Sequence, residues 1–237
     1  MSFASSHKAR ILAGGYDLSI KASSASIGNT AEMLEVTTLS DTAKRYIAGL
    51  RDATLQVDGY IDTEAFASAL TQWTTAHLFG VGINVTYAPT GLTAGAPAFL
   101  AYGLRSSFED GSPVNGVTNF SLAVQSETTL GIGHSILEPT AVTIDANHAS
   151  YDGGAASSTG AIAQAHVTAF SGLTSNVVTI EDSANNTDFS VIGTFATFTS
   201  IGASRIEITG AVRRYVRAVS NVTGTGSCTL TVSIART

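Results

Sequence analysis

Histidine and serine side chains are the groups in this chain that could perform nucleophilic or metal-assisted chemistry. The five histidines, at positions 7, 77, 134, 148 and 166, are scattered, and no two have the spacing of a metal-binding pair. Ser135 follows His134, but the Gly-x-Ser-x-Gly turn of a serine nucleophile needs glycine at position 137, where this chain has leucine. Neither pattern predicts a catalytic residue or a metal ligand.

Glycine-rich and acidic turns are the other possible sites. Gly-x-Gly pairs begin at Gly80, Gly131 and Gly224, but none has the third glycine of a nucleotide-binding loop. The stretch from Asp182 to Asp188 is acidic like a calcium loop, yet it lacks glycine at its sixth position and glutamate at its twelfth. We interpret it as an Asn-rich turn. The sequence therefore predicts no enzyme, no cofactor and no metal site.

The single cysteine excludes an intrachain disulfide. Cys228 begins an alternating run in which residues 228, 230, 232 and 234 are apolar and the residues between them are Thr or Ser. Such a run predicts a strand with one buried face, so Cys228 is interpreted as a small core residue and not as a nucleophile.

Composition points to a β-rich protein. Charged residues make up 13% of the chain, against roughly 25% in typical soluble domains. Its polar surface must therefore come largely from Ser, Thr, Asn and Gly, which suit strands and turns. The net charge of -6 argues against a protein that binds nucleic acid tightly. Arg213, Arg214 and Arg217 form the one basic cluster, interpreted as solvated or in contact with another subunit.

The elements that would position any site are mostly strands. Alternating apolar residues predict strands over 53–61 and 79–87, and further strands recur at short spacing beyond residue 160. One helix is predicted over about 63–76, capped by Asp62 or Thr63, with its apolar stripe acting as core anchors. The residues of that stripe are Phe66, Leu70 and Trp73.

Three irregular segments divide the predicted elements. Residues 1–10 read as a flexible N-terminal arm, and 88–116, which contains three prolines, as a long loop. A shift in composition over 139–160, with Pro139 followed by a Gly- and Ser-rich stretch at 152–158, predicts a linker over 141–160. The predicted domains are thus 1–140 and 161–237.

The stretch from Asp41 to Asp62 resembles a region of siphophage major tail tube proteins. There a Lys, a Tyr-Ile pair and a Gly-Leu pair lead into a core strand, as Lys44, Tyr46-Ile47 and Gly49-Leu50 do here. The stretch Gly15-Tyr16-Asp17-Leu18 is similar to the first strand of that family. This resemblance covers roughly residues 8–137.

The second half looks like a β-sandwich appended to some actinophage-type tail proteins. The similarity rests on Glu181-Asp182-Ser183, on the stretch from Arg213 to Arg217, on the terminal Ser233-Ile234-Ala235-Arg236, and on Phe195 and Phe198. The resemblance implies a tail-tube-type β-sandwich or barrel with one flanking α-helix, followed by a second all-β sandwich that decorates it.

In function, the resemblance implies a structural virion protein. Copies would form hexameric rings that stack into a tail tube, assembled in the host cytoplasm, and DNA would pass through its lumen without specific binding. Implied partners are further copies of the chain, a tape measure protein inside the tube, and tail terminator and distal tail proteins at its ends. No membrane partner is implied.

Candidate contact residues follow from this reading. An acidic wall would let DNA slide because it releases no counterions, and the candidates for that wall are Glu35, Asp58 and Glu127. Candidates for contacts between rings are His7, Lys8, Arg10, Arg105, Glu109 and Asp110.

Two other functions stay open at this point. Residues 160–237 could form a module that binds carbohydrate on a cell surface, although Tyr215 is the only tyrosine beyond position 152 and there is no tryptophan there. The chain could also be another tail or capsid-decoration protein of a phage.

Overall fold

The computed structural model describes residues 8–61, 80–111 and 116–237, which form fourteen β-strands and no α-helix. None of these residues belongs to a helix that could cross a membrane. The predicted helix over 63–76, with Phe66, Leu70 and Trp73, lies outside the described residues, so the flanking helix is not confirmed. The strands are β1 Arg10–Ala13, β2 Tyr16–Asp17, β3 Ala22–Glu35, β4 Tyr46–Tyr60, β5 Gly82–Ala88, β6 Pro97–Gly111, β7 Asn119–Ser126, β8 Gly131–Val142, β9 Ala146–Asn147, β10 Tyr151–Asp152, β11 Ala161–Ser183, β12 Ser190–Thr194, β13 Gly202–Ile208 and β14 Tyr215–Arg236.

Two large hydrophobic cores lie along the chain. The first is formed by residues between Ile11 and Leu130, and the second by residues between Ile136 and Ile234. Each arises because one face of the surrounding strands is apolar. In β4, for example, Ala53, Leu55 and Val57 are buried, while the residues between them are polar. The mainly β character predicted from the sequence is confirmed.

The first half contains a four-stranded antiparallel sheet in the order β3, β4, β7, β6. Beyond residue 104, β6 continues alongside β7, and its earlier part pairs with β5 on one side and β8 on the other. This sheet carries the surfaces described below.

The second half is dominated by one long hairpin of β11 and β14. Residues from both ends of β11, such as Ala163 and Val178, line the same core, so the hairpin bends over on itself. The bend coincides with register shifts near residues 167–175. Gly172, with φ of +76°, lies there, where an added β-carbon would be 2.6 Å from the Thr225 carbonyl oxygen.

The two halves share strands. β8 pairs with β6 through residues 131–134 and with β14 through residues 134–142. Within the predicted linker 141–160, β9 and β10 also pair with β14. Most residues of this segment lie outside the strands, and the linker over 141–160 stays a prediction. The division into domains 1–140 and 161–237 stays a prediction.

The predicted long loop over 88–116 is wrong over most of its described length, because β6 occupies residues 97–111. The strand was missed because both of its faces are buried near its start, which removes the polar alternation expected of a strand. Ala101 packs in the first core, while Ala98 and Leu100 pack on the opposite side against Ile162. Pro97 is the first residue of the strand, a position that proline tolerates.

Candidate functional site

A β-ribbon, residues 29–52, extends β3 and β4 beyond the body of the protein. Nearly all of its residues are exposed, whereas Leu55 and Val57, further along β4, are buried. The strands stay paired along the ribbon, from Asn29 opposite Ala53 to Glu35 opposite Tyr46. A turn over 36–45 closes it.

One face of the ribbon continues the core-facing side of the sheet. Ile27, opposite buried Leu55, packs against the first core. Since alternate residues of a strand share a face, the face of Ile27 also carries Ala31 and Met33, together with the polar Asn29 and Glu35. The pairing shifts register between Ala31 and Met33. Met33 lies opposite Ala48 and is 60% exposed. Apolar side chains that would be core residues within the body are thus in solvent here.

The opposite face and the turn of the ribbon are apolar as well. Leu34 lies opposite Ile47, and both are exposed, as is Leu50 at the irregularity in the pairing. Leu39, in the turn, is fully exposed. A cluster of exposed apolar side chains of this kind is a candidate site of interaction. Sequence analysis missed the ribbon, because alternation does not show whether a second layer covers a strand.

Two ion pairs lie at the turn of the ribbon. Lys44 Nζ lies 3.0 Å from a Glu35 carboxylate oxygen, and an Arg45 nitrogen lies 3.6 Å from Asp41. Asp41 also accepts hydrogen bonds from the backbone N–H and the hydroxyl of Thr38, which lower the pKa of this carboxyl. The pair of Lys44 with Glu35 is exposed and contributes little, whereas the side chain of Asp41 is only 17% exposed.

The four-stranded sheet has a polar outer face. Asp58 on β4 lies opposite Ser24 on β3 and Ser121 on β7, and Ser121 lies opposite Glu109 on β6. Hydrogen bonds from Ser121 and Ser24 hold the pKa of Asp58 below its usual value, so it stays ionised. The register therefore places two carboxylates, Asp58 and Glu109, on either side of one serine. Sequence reasoning could not pair them, since they are far apart in the chain.

The three candidates for an acidic wall do not lie together. Asp58 is on the outer sheet face, whereas Glu35 lies on the ribbon and pairs with Lys44. Glu127 follows the opposite end of β7, where its backbone N–H donates to the carbonyl oxygen of Tyr102. Among the three, only Asp58 has a second carboxylate, Glu109, beside it on the same face.

The described candidates for ring contacts lie in two regions, one near each end of β6. Lys8 and Arg10 border a groove beside Leu92, near the start of β6, and Glu109 and Asp110 are exposed near its end. His7 lies outside the described residues.

Arg105 is removed from the candidates for ring contacts, because only 6% of it is exposed. A register shift after Arg105 leaves its side chain on the core-facing side, opposite Val124. Its guanidinium lies 5.9 Å from the centre of the Phe108 ring, and burial lowers its pKa.

The basic cluster of the second half is paired internally. Each arginine forms an ion pair with a carboxylate: Arg213 with buried Asp182, Arg214 with Asp152 and Arg217 with Glu181. Two of these arginines also cover aromatic rings. The Arg214 guanidinium lies 5.0 Å from the ring centre of Tyr215, and that of Arg217 lies 4.0 Å from the ring centre of Phe189. Among the described residues, no group of acidic, His or Cys side chains could hold a metal ion.

No protein-family model and no curated protein matches this chain. Similar solved structures include a chain of the virion of a native gene transfer agent particle, 16% identical over 55% of this chain and 98% of that chain, with a TM-score of 0.44. A chain of the SPP1 tail tube is 13% identical over 56% of this chain and 81% of its own, with a TM-score of 0.46. The SPP1 Dit protein, from a hub adsorption apparatus, is 14% identical over 95% of this chain and 98% of its own, with a TM-score of 0.41. At these TM-scores the likenesses are loose.

Proposed function

We propose that this chain is a tail tube subunit of a long-tailed phage, whose copies join into hexameric rings that stack into a conduit for DNA. The β-ribbon is the observation that carries the proposal. It extends the core-facing side of a sheet into solvent, where Met33, Tyr46 and Ala48 have no layer of their own chain above them among the described residues. A second copy would supply that layer.

Free strand edges support closure into a ring. Among the described residues, β3 pairs only with β4, and residues 107–111 of β6 pair only with β7. The four strands alternate in direction across the sheet, so β3 of one copy would run antiparallel to β6 of the next. Exposed edges of this kind are templates for pairing with another chain. The two edges differ, so the contact is heterologous, as a ring requires.

The outer face of the same sheet fits the wall of a lumen. It carries Ser, Gln and Thr side chains with the carboxylates of Asp58 and Glu109, and Asp58 is held ionised. A smooth, negatively charged face repels phosphate and offers no cations for DNA to bind. DNA would therefore slide along this face.

Electron microscopy and sedimentation of purified protein at increasing concentration test the assembly. We expect rings and hollow rods from the wild type. Met33→Asp places a charge on the ribbon face and should raise the concentration needed for assembly about tenfold or more, since burying one large apolar side chain contributes roughly 1.5–3 kcal/mol. Val191→Asp is the matched control, because Val191 is similarly exposed on β12, away from the ribbon.

Two results would contradict the proposal. The wild type could remain monomeric at every salt and protein concentration, or Met33→Asp could assemble as well as the control.

Labelling with a bulky maleimide tests the wall separately. Cys228 is buried, so the wild type should react little. A cysteine introduced by Gln56→Cys, beside Asp58 on the outer face, should react in free subunits and be protected inside rods. A cysteine introduced by Val191→Cys should react in both states. Equal labelling of Gln56→Cys in rods and subunits would show that this face does not line the lumen.

The carbohydrate-binding alternative is less well supported by the geometry. Sugar-binding sandwiches stack ligand on open aromatic faces, but in the second half Tyr215 and Phe189 each lie beneath an arginine. No observation on the second half favours that function over a place in the tube.

A further inference from the structure

Two kinds of contact join the two halves of the chain. β8 is hydrogen-bonded to both halves, to β6 on one side and to β14 on the other. Beside it, β5 and β6 pack against β11 and β14, and we name this contact the seam. Its buried polar side chains are Thr86, Gln164 and His166, and its apolar side chains are Ala98, Leu100, Ile162 and Ala235. The seam is much smaller than either core, so it should open at a lower free energy than the cores.

His166 is bonded across the seam through one of its two ring nitrogens. Its Nε2 lies 2.9 Å from Thr86 Oγ1 on β5. The Thr86 hydroxyl donates to the Gln164 side-chain oxygen at 3.0 Å, so Nε2 must carry the proton of the neutral ring. The other nitrogen, Nδ1, therefore has a lone pair, and it has no hydrogen-bond partner among the described residues. A proton taken up at Nδ1 would place a charge, and a donor without an acceptor, in a buried contact.

The charged side chains around the seam do not stabilise a protonated His166. On the strands that flank β11, His166 lies opposite Ala203 and Thr231, and the nearest charge along those strands is Arg205, which forms an ion pair with Glu207. In the first half, the register places four polar or charged side chains on the same face as Thr86: Asn84, Tyr102, Arg10 and Asp17. Burial, and not a neighbouring charge, lowers the pKa of His166 to about 3. The neutral ring is therefore favoured while the seam is closed, and the protonated ring once water reaches it.

From these relationships we propose that the seam is an acid-sensitive latch, in which uptake of a proton by His166 Nδ1 parts β5 and β6 from β11 while β8 keeps the halves joined. The open state gives the imidazolium ring water as a partner and exposes Leu100 and Ile162. The second half can then change its angle to the first without the unfolding of either core. The latch is a property of the single chain, so it does not depend on assembly into a tube.

Thiol labelling at different pH values tests the latch. A cysteine introduced by Ala98→Cys lies in the seam and should react with a dithiodipyridine reagent, which labels thiols in acid as well as at neutral pH, only when the seam opens. Each rate is divided by the rate of the urea-unfolded protein at the same pH. We expect this normalised rate to rise about 50-fold between about pH 7 and about pH 4.5, because the open state binds a proton that the closed state does not. His166→Gln, which removes the titrating group, should abolish most of this rise.

Two other buried thiols distinguish opening of the seam from unfolding, with mass spectrometry of peptides to identify each labelled site. Cys228 reports on the second core, and a cysteine introduced by Ala53→Cys reports on the first. Both should stay protected at the pH where the cysteine of Ala98→Cys is labelled. Labelling of that cysteine in step with Cys228 would show that acid unfolds the second half and would overturn the latch. A normalised rate that does not change with pH, or a rise that persists in His166→Gln, would overturn it too.

Should Ala98→Cys fail to fold, NMR of the wild type decides. The ring signals of His166, identified by their loss in His166→Gln, should change together with the methyl signals of Leu100 and Ile162 as the pH falls. The methyl signals of Val178, in the second core, should stay constant over the same range. A ring that titrates near its ordinary pKa with the methyl signals unchanged would overturn the latch. Seam signals that stay constant down to the pH of global unfolding would have the same meaning.

Discussion

Thr86 Oγ1 lies 2.9 Å from His166 Nε2, across the contact between β5 of the first half and β11 of the second. The hydroxyl of Thr86 donates to the Gln164 side-chain oxygen, and the Gln164 amide donates to the carbonyl oxygen of Ala101. Since the one hydroxyl proton of Thr86 is used in this way, His166 must donate through Nε2–H. A directional chain of buried hydrogen bonds thus joins the two halves.

The hydroxyl of Thr86 should be important for stability. Thr86→Val keeps the shape of the side chain but leaves the buried His166 Nε2–H and Gln164 oxygen without their partner. We expect the free energy of unfolding to fall by about 2–4 kcal/mol, measured by urea denaturation. Thr140→Val is the control, because that hydroxyl bonds a surface carbonyl and its loss should change little. Equal effects of the two substitutions would show that these buried hydrogen bonds are not important for stability.

His166 should make the protein sensitive to acid. Burial lowers the pKa of His166 from 6.5 to about 3, and its Nδ1 atom has no hydrogen-bond partner among the described residues. Between these values the unfolded chain binds a proton that the folded chain does not, so stability is full above pH 6.5 and falls as the pH drops toward 3.

We expect His166→Gln to reduce the slope of the free energy of unfolding against pH by up to about 1.4 kcal/mol per pH unit. Urea titrations between pH 6.5 and 3 measure this slope. His148→Gln is the comparison and should have a smaller effect, because His148 is only partly buried; this burial also lowers its pKa. Parallel curves for wild type and His166→Gln would rule out His166 as the source of the dependence.

The bend of the β11–β14 hairpin should depend on glycine. Gly172 and Gly154 have nearly the same φ, +76° and +77°, but only Gly172 has backbone close to where a β-carbon would be. Both Ala variants suffer the left-handed backbone strain of about 1–2 kcal/mol. Gly172→Ala should lose clearly more stability in thermal unfolding, because of its contact with Thr225. The prediction fails if the two variants have the same melting temperature.

The buried carboxylate of Asp182 should stabilise the second half. It accepts hydrogen bonds at 2.7 Å from both the backbone N–H and the Nε–H of Arg213. Asp182→Asn removes the charge and one acceptor while keeping the size, and should lower the free energy of unfolding by about 1.5–3 kcal/mol. Asp152→Asn, which weakens the exposed pair with Arg214, should have a much smaller effect in the same urea experiment.

Truncation should show that the first half does not fold well by itself. Residues 1–140 lose β14, the partner of β8, and expose Ala98 and Leu100, each 1% exposed in the whole chain. We expect insoluble or non-cooperatively unfolding protein, judged by soluble yield and by thermal melting.

As the control for truncation, replacement of residues 31–51 by a short Gly-Ser turn should leave a soluble, cooperatively unfolding protein, because the ribbon is exposed. A truncated chain that melts as cooperatively as this control would support the predicted division into two domains.

Local patterns were sufficient for much of the fold. The alternation of Ala53, Leu55 and Val57 predicted a strand with one buried face, and the run from Cys228 predicted a strand with its sulfur in the core; both are confirmed. The polar, weakly charged composition predicted the mainly β character. These features depend on residues a few positions apart, whose side chains face the same way whatever lies beyond them.

Contacts between distant segments came only from the tertiary structure. β11 and β14 were predicted as shorter separate strands, but bulges and glycines let each continue through a bend. The pairing of Asp58 with Glu109 across Ser121, the chain from His166 to Ala101, and the exposure of the ribbon all depend on the register between distant strands. Register is set by the packing of whole faces and by bulges, and a one-residue shift reverses every side chain, so the local sequence cannot specify it.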